Sequence, residues 1–177
     1  MRLSIDSTKL QKTLVYGGLI FLFSLLQITL LPRYPIFGVT PDLSLSCVLA
    51  VAMFEGRKGG GIAGIATGFY IDAVGSLGLS LLPLFYFIAG FVVGICAEFL
   101  FRRGFESWSM AVFGGYFLRS FITLICLSVS YSHYSFWEVF ATLMIPEFTA
   151  SVLFSYPLFV IFRLAAKRFH KNYELRS

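Results

Sequence analysis

Six long apolar runs, separated by short charged, proline or glycine breaks, constrain this chain more than any other feature. They cover residues 13–31, 41–54, 59–74, 81–101, 108–131 and 139–162. About 20 helical residues cross the roughly 30 Å hydrocarbon core of a membrane. The chain is 58% hydrophobic and 13% charged, with a mean hydropathy of +0.83, which is too apolar for the surface of a water-soluble domain.

The runs lack the alternation of barrel strands, and lipid offers the backbone no hydrogen-bond partners outside a helix. The sequence therefore predicts an all-α integral membrane protein. We expect a single transmembrane domain over residues 1–177 with six transmembrane helices, one in each apolar run.

The distribution of Lys and Arg predicts how these helices are oriented. Twelve of the fourteen basic residues lie in the N-terminal tail, in the links at 55–59 and 102–106, and in a basic tail at 163–177. The links on the other side contain only Arg33, and Arg119 lies inside the fifth run. Because cytoplasmic loops carry an excess of Lys and Arg, both termini are expected in the cytoplasm. The positive charge is expected to face lipid headgroups rather than nucleic acid.

The second and third runs, at 41–54 and 59–74, are short for complete spans. Either they cross a locally thinned part of the membrane, or they form a re-entrant hairpin. The charges of Glu55, Arg57 and Lys58 between them favour a tip that reaches the cytoplasm.

The stretch FGVTPDL, residues 37–43, places a carboxylate beside a proline at the start of the second run. Thr40, Pro41 and Asp42 form the pattern of an N-cap, a first-turn proline and an acidic first-turn residue at the outer end of a helix. Phe37 and Gly38 precede them as a loop. The alternative is a contact between Asp42 and an external partner through the same exposed edge.

The third run carries a glycine stripe with a spacing of four residues. The stripe consists of Gly60, Gly64 and Gly68 and ends at Asp72. Another helix can approach such a stripe closely, and the fourth run has a second pair of small residues at Gly90 and Gly94. We therefore expect the third and fourth helices to pack backbone to backbone, with a homodimer face as the alternative.

The stretch AVGSLGLS, residues 73–80, follows the stripe. Gly75 and Gly78 permit turns that other residues resist, so this segment is expected to be a tight outer loop. The alternative is a turn that lines a substrate site, because irregular backbone at membrane depth is tolerated around a cavity.

Arg119 is the most costly residue of the chain in lipid. A charge at the centre of a membrane helix costs about 2.5–3.5 kcal/mol on insertion scales and marks a candidate functional site. Glu147, in the sixth run, is expected at a similar depth, and we predict an Arg119–Glu147 ion pair. Glu98 is expected to pair with Arg102, four residues later at the end of the fourth run.

The sequence contains no pattern that indicates catalysis or cofactor binding. It has no Ser/His/Asp arrangement, no cluster of metal-ligand spacing, no P-loop and no dinucleotide fingerprint. The protein is therefore expected not to be an enzyme and to bind no metal and no cofactor.

Several of these features occur together, in one order, in a known family. The sequence LLQITLLPRYPIFGVTPDL, residues 25–43, is followed by the glycine stripe, Asp72 and GSLGLS, and this succession resembles the rod shape-determining protein MreD family. The resemblance covers residues 27–94. The matching positions are Gln27, Pro32, Phe37, Gly38, Pro41, Asp42, Gly60, Gly64, Gly68, Asp72, Gly75 and Gly78.

The resemblance implies a multi-pass protein of the bacterial inner membrane that maintains rod shape without catalysis. MreC, a single-span protein, is the implied partner, and further links to MreB filaments and to RodA with its transpeptidase are implied. The expected function is a scaffold for lateral peptidoglycan synthesis, with the MreC helix on the glycine stripe. The implied fold is similar to that of S components of energy-coupling-factor transporters, although a shared fold does not establish a shared function.

The alternative function is that of a substrate-binding membrane subunit of a small-molecule (vitamin) transporter. The compact plan of six helices, the two short runs and the buried charges favour it. The first helix argues against it, since only Gly17 and Gly18 are small near its start, whereas such subunits dock through an alanine-rich motif there. A third hypothesis is that Arg119 faces a groove for an anionic lipid precursor.

Overall fold

A computed structural model describes residues 2–34, 38–75, 82–99, 104–130 and 145–169 of the chain. Within these ranges the protein consists of helices and contains no strand. The helices are α1 (Arg2–Thr29), α2 (Leu43–Gly75), α3 (Leu82–Phe99), α4 (Phe105–Ser130) and α5 (Ile145–Phe169), and a short 3₁₀ helix (Leu31–Arg33) follows α1. The predicted all-α class is confirmed.

Three of the described helical segments are long and apolar enough to cross a membrane. These candidate spans are Leu10–Arg33, Leu82–Phe99 and Ile145–Arg168, and they correspond to the first, fourth and sixth apolar runs. The chain therefore has the character of a membrane protein. The complete set of six spans and the cytoplasmic position of both termini stay predictions.

The second and third apolar runs form one element, α2, which turns back on itself at Gly56. The backbone of Gly56 is not helical, with φ 74° and ψ −168°, and it separates a first arm (residues 43–55) from a second arm (residues 57–75). A Cβ placed on Gly60 would lie only 2.8 Å from the Cα of Ala52. Residues eight apart in a straight helix are about 12 Å apart, so the two arms form a hairpin. How deeply this hairpin enters a membrane stays a prediction.

The first arm of α2 is the centre of the molecule. All residues from 41 to 54 are buried, and α1 runs antiparallel to this arm. Lys12 Nζ lies 2.5 Å from Glu55 Oε2 at one end of the contact, and the hydroxyl oxygens of Ser24 and Ser44 lie 3.1 Å apart at the other. The shortest apolar run is therefore the one that other helices surround.

Helices α4 and α5 cover the first arm from another side. The rings of Phe54 and Phe159 stack with their centroids 5.8 Å apart. Trp108 of α4 also stacks on Phe159, and the centroids of these two rings are 4.9 Å apart. These fully buried aromatic side chains join α2, α4 and α5 in one core. In water such burial would be driven by the hydrophobic effect, but in lipid the aromatic stack contributes mainly through packing.

Two helices extend beyond the apolar runs that predicted them. Helix α1 begins at Arg2 rather than near residue 13, and α5 ends at Phe169 rather than near residue 162. The predicted basic tail therefore starts inside α5, whose last turn contains Lys167 and Arg168. Hydropathy predicts where a helix leaves the apolar layer of the membrane, not where the helix itself ends. Basic residues such as Lys167 and Arg168 stabilise the C-terminal turn of a helix, so α5 continues past its apolar run.

The charged residues define two ends of the bundle. The basic end is the end with the Gly56 turn, and the Lys and Arg residues described there include Lys12, Arg57, Lys58, Arg163, Lys167 and Arg168. The opposite end contains the start of α2 and the start of α5.

Candidate functional site

Asp42 caps the central helix. Helix α2 begins at Leu43, and the backbone N–H of Leu45 donates a hydrogen bond to Asp42 Oδ1 at 3.1 Å, which is the geometry of an N-cap side chain. The cap is therefore Asp42 itself, two positions after the predicted Thr40. Asp42 is only 1% exposed, so the predicted exposed edge was wrong: the flanking helices cover it.

The buried carboxylate of Asp42 is paired with Arg119. Arg119 Nη1 forms an ion pair with Asp42 Oδ2. The hydroxyl of Tyr86 donates to the same oxygen at 2.8 Å and accepts a hydrogen bond from Arg119 Nη1 at 2.9 Å. These three side chains join α2, α3 and α4. Because removal of Asp42 or Arg119 would leave the other charge uncompensated, the set holds the three helices in one arrangement.

Glu147 completes what we call the Asp42 cluster: Asp42, Tyr86, Arg119 and Glu147. Arg119 Nε lies 3.7 Å from Glu147 Oε1, so the two residues predicted to pair are close together. The distance is that of an ion pair without a direct hydrogen bond, and the side chains of Arg119 and Glu147 are 22% and 29% exposed. Asp42 is therefore the principal partner of Arg119, and Glu147 is the outer one.

The backbone of Asp42 is held by two further contacts. Its N–H donates to Ser151 Oγ at 3.0 Å, and its carbonyl oxygen accepts from the hydroxyl of Tyr116. Tyr116 in turn lies 2.6 Å from Ser46 Oγ. The start of α2 is thus fastened to α4 and α5 as well as to the Arg119 side chain. Buried polar groups require such partners in a dry interior.

Gln27 fastens α1 to the same region. Its side-chain Oε1 accepts a hydrogen bond from the backbone N–H of Ser44 at 2.7 Å. This N–H belongs to the first turn of α2 and has no acceptor within the helix. Gln27 is therefore a second side chain that caps α2.

The glycine stripe lies against α3. A Cβ on Gly64 would overlap the carbonyl oxygen of Tyr86, and one on Gly60 would overlap that of Gly90; a Cβ on Gly68 would meet the backbone of Pro83. The second arm of α2 and helix α3 therefore approach at backbone distance, antiparallel to one another, as glycine-rich membrane helices do. The structure uses the stripe for an internal contact, so its surface is covered by α3.

The Gly56 turn is held by Glu98 of α3. Glu98 Oε1 accepts a hydrogen bond from the backbone N–H of Arg57 at 3.0 Å, and Glu98 Oε2 lies 3.5 Å from Arg57 Nε. Glu98 thereby caps the second arm of α2 from another helix. The predicted pairing with Arg102 falls outside the described residues.

The remaining predicted residues have separate positions. Gly38 has a positive φ of 79° and is exposed; Pro41 is buried next to Asp42. Asp72 Oδ1 is buried, and the described residues provide it with no hydrogen-bond partner. Gly75 is the last residue of α2. Phe37 and Gly78 lie outside the described residues.

Sequence reasoning missed Tyr86, Tyr116, Ser46 and Ser151. Single hydroxyl residues in apolar runs carry no periodic signal. Tyr86, Tyr116 and Ser151 bind Asp42 directly, and Ser46 contacts Tyr116. The one available hint is the position of Tyr86 one turn before Gly90, on the face that meets the glycine stripe.

Comparison of the chain with protein-family models, with curated proteins and with solved structures finds no match. Within the described ranges, no group of three or more His, Cys, Asp or Glu side chains could hold a metal ion. The side chains of the Asp42 cluster bind one another across four helices, and these contacts support a structural role.

Proposed function

We propose that this chain is a non-enzymatic membrane scaffold of the bacterial cell-elongation machinery. It would act in the inner membrane as an MreD-like protein that binds MreC and helps couple lateral peptidoglycan synthesis to the MreB cytoskeleton, together with RodA and its transpeptidase. The supporting observation is that residues at the family-like positions make contacts between helices: Gln27 of α1 caps α2, Asp42 pairs with Arg119 of α4, and the stripe residues pack on α3. Side chains used in this way give a protein a fixed shape, which suits a docking platform.

The internal position of the glycine stripe changes where the MreC helix is expected. The stripe is occupied by α3, so the partner helix would lie on an outward face of the bundle. Such faces are apolar on α1, α3 and α4, as shown by the exposed side chains of Leu14, Ile88 and Phe117. Packing of a partner helix on one of these faces would be driven by van der Waals contacts and by release of lipid.

The transporter-subunit alternative has less support from the site. A polar small molecule needs a few convergent polar groups that are available to bind it. The carboxylate of Asp42 is instead saturated by Leu45, Tyr86 and Arg119, and the Arg119 side chain is shared between two carboxylates. The same observation disfavours the groove for an anionic lipid precursor at Arg119.

The test is an affinity purification of the tagged full-length chain from its native membrane in mild detergent, with mass spectrometry of the retained proteins. We expect MreC together with other elongation proteins. Recovery of an ATPase pair with a coupling membrane subunit would instead establish the transporter alternative. Native mass spectrometry of the same sample would detect a bound vitamin-sized molecule in that case.

A second experiment locates the contact if MreC is recovered. A photo-crosslinking amino acid is placed singly at Leu14 on α1, Ile88 on α3 and Phe117 on α4. The position that yields a covalent adduct with MreC identifies the docking helix. Crosslinks at none of these faces, with MreC still co-purifying, would mean that binding occurs through the loops.

A further inference from the structure

Three polar atoms at the basic end are buried without a hydrogen-bond partner in the part of the chain that the structure describes. They are Glu55 Oε1, Trp108 Nε1 and Arg163 Nε. Trp108 is fully buried, at 0% exposure, so neighbouring side chains cover its indole N–H in this conformation. Buried donors and acceptors are almost always paired in native proteins, and an exception calls for an explanation such as a missing ligand.

The three residues that carry these atoms are connected through one aromatic stack. Trp108 stacks on Phe159, with ring centroids 4.9 Å apart, and Phe159 stacks on Phe54, the residue before Glu55. Arg163 follows Phe159 by four residues, so the two share one face of α5. Glu55 and Arg163 therefore both follow residues of the same aromatic stack, toward the basic end of the bundle.

The charges and hydrogen-bonding groups define what fits there. Lys12 and Arg163 are cationic and Glu55 is anionic, so the group has a formal charge of +1, and Lys12 Nζ already binds Glu55 Oε2 at 2.5 Å. The unpaired atoms are two donors, on Trp108 and Arg163, and one acceptor, on Glu55. A ligand that satisfies all three has an anionic acceptor and a hydroxyl donor.

The surroundings indicate that this ligand is a lipid. Next to Arg163, Leu164 is 63% exposed, and Phe105 in the first turn of α4 is also exposed, so apolar surface continues away from the polar group. Tryptophan and basic side chains are typical of the interface between lipid tails and headgroups. A free anion would gain nothing from this apolar surface, whereas an acyl chain would.

We propose that the basic end binds the headgroup of an anionic phospholipid of the phosphatidylglycerol type. The phosphate accepts hydrogen bonds from Trp108 Nε1 and Arg163 Nε, and a glycerol hydroxyl donates to Glu55 Oε1. The site is separate from the Asp42 cluster and does not depend on the proposed scaffold function. Because Trp108 and the three unpaired atoms are buried, binding requires the side chains that cover them to move outward, among them the Lys12–Glu55 pair, whose side chains are each 21% exposed.

The test measures lipid binding to the purified full-length chain by native mass spectrometry. The protein is titrated with phosphatidylglycerol, phosphatidylethanolamine and phosphatidylcholine of identical acyl chains. We expect phosphatidylglycerol to bind most tightly and phosphatidylcholine, which has no donor for Glu55, to bind most weakly. Tightest binding of phosphatidylethanolamine, or equal binding of phosphatidylcholine and phosphatidylglycerol, would overturn the proposal.

Variants connect the binding to the three atoms. Trp108→Phe keeps a ring for the stack on Phe159 but lacks the N–H donor, and Arg163→Gln removes the charge. Each is expected to weaken phosphatidylglycerol binding about tenfold, the usual effect of losing one hydrogen bond to a charged group. Arg168→Gln is the matched control, because Arg168 is an exposed basic residue of the same helix.

The control separates a site from general attraction to anionic lipid. If Arg168→Gln weakens binding as much as Arg163→Gln does, or if neither Trp108→Phe nor Arg163→Gln weakens it, the proposal is wrong. Circular dichroism of each variant verifies that it remains folded. Should Trp108→Phe fail to fold, the comparison of Arg163→Gln with Arg168→Gln still decides.

Discussion

At the scale of single residues, the structure explains how a charged side chain is accommodated in an apolar helix. Arg119 is shared between Asp42, which is buried, and Glu147, which is partly exposed. A lone guanidinium would carry the full cost of leaving water, whereas a partner with additional hydrogen bonds offsets much of it. Tyr86 forms such a bond with both Asp42 and Arg119. The Asp42 carboxylate is therefore expected to stabilise the Arg119 charge more than the Glu147 carboxylate does.

We expect Arg119→Gln to destabilise the protein by about 3–5 kcal/mol, because it leaves the Asp42 carboxylate buried and uncompensated. Glu147→Gln is expected to cost no more than about 1 kcal/mol, since that pair is longer and more exposed. The measurement is SDS-induced unfolding in mixed micelles, followed by circular dichroism, with Arg33→Gln as a control outside the cluster.

A double variant tests the assignment of the inner pair. Asp42→Asn combined with Arg119→Gln removes both charges, and we expect it to be less destabilised than the sum of the two single variants. Equal effects of Arg119→Gln and Glu147→Gln would show instead that Glu147 is the principal partner.

At the scale of helices, the structure depends on backbone contacts that only glycine permits. The second arm of α2 and helix α3 meet at Gly60, Gly64 and Gly68, where added side-chain atoms would overlap opposing backbone. Backbone atoms cannot rotate away as a flexible side chain can. The contact is therefore sensitive to single methyl groups.

We expect Gly64→Ala to destabilise the protein by at least about 1–3 kcal/mol, the usual cost of overpacking. The matched control is Gly114→Ala in α4, where a Cβ meets nothing within 4 Å; there alanine is expected to be neutral or to stabilise the helix by up to about 1 kcal/mol. Both are measured by unfolding in mixed micelles and by protein level in the membrane. If MreC co-purifies with the unaltered protein, its loss from a Gly64→Ala protein of normal stability would show that the stripe binds the partner after all.

The Gly56 turn provides a second test of an element. Its φ of 74° and ψ of −168° lie in a region that is essentially restricted to glycine, and other residues there cost about 1–3 kcal/mol. A Cβ at this position would also overlap the Glu98 carboxylate that caps the second arm. Gly56→Ala is therefore expected to destabilise the hairpin more than Glu98→Gln does, because Glu98→Gln retains an acceptor for the Arg57 N–H. Unfolding experiments on both variants measure this difference. A larger loss of stability in Glu98→Gln would contradict the prediction.

At the scale of the whole molecule, the bundle is organised around its shortest apolar run. Residues 43–54 of the first arm of α2 are all buried, which explains why this arm can be shorter than a complete span without exposing polar backbone to lipid. Its two ends lie at the basic end and at the opposite end, so the distribution of charge follows the direction of this arm. To know which of these two ends is cytoplasmic is therefore to know the orientation of the whole bundle in the membrane.

We expect the basic end to face the cytoplasm, because Lys and Arg are retained on that side. Lys58 at the hairpin turn and Tyr34 after α1 are exposed at opposite ends and are replaced singly by Cys in a background with the native cysteines changed to Ser. A membrane-impermeant maleimide should label Tyr34→Cys in intact cells and Lys58→Cys only after lysis. Labelling of Lys58→Cys in intact cells would reverse the orientation, and it would leave the internal packing unchanged.

The sequence by itself determined the features that depend on short stretches of chain. Hydropathy identified a helical membrane protein, and the four-residue spacing of Gly60, Gly64 and Gly68 indicated a surface for close helix contact. The cost of a charge in lipid singled out Arg119. Each of these follows from local composition or from helical periodicity, which do not depend on where the helix lies.

Only the tertiary structure decided which distant groups meet. The Arg119–Asp42 pair, the cap supplied by Glu98 and the hydroxyls of Tyr86 and Tyr116 join residues that are far apart in the chain. Asp42 is expected at an exposed edge when its helix is considered alone, and it is buried because α3, α4 and α5 close over it. Pairing of remote charges depends on the relative depth and rotation of whole helices, and no local pattern of residues specifies either.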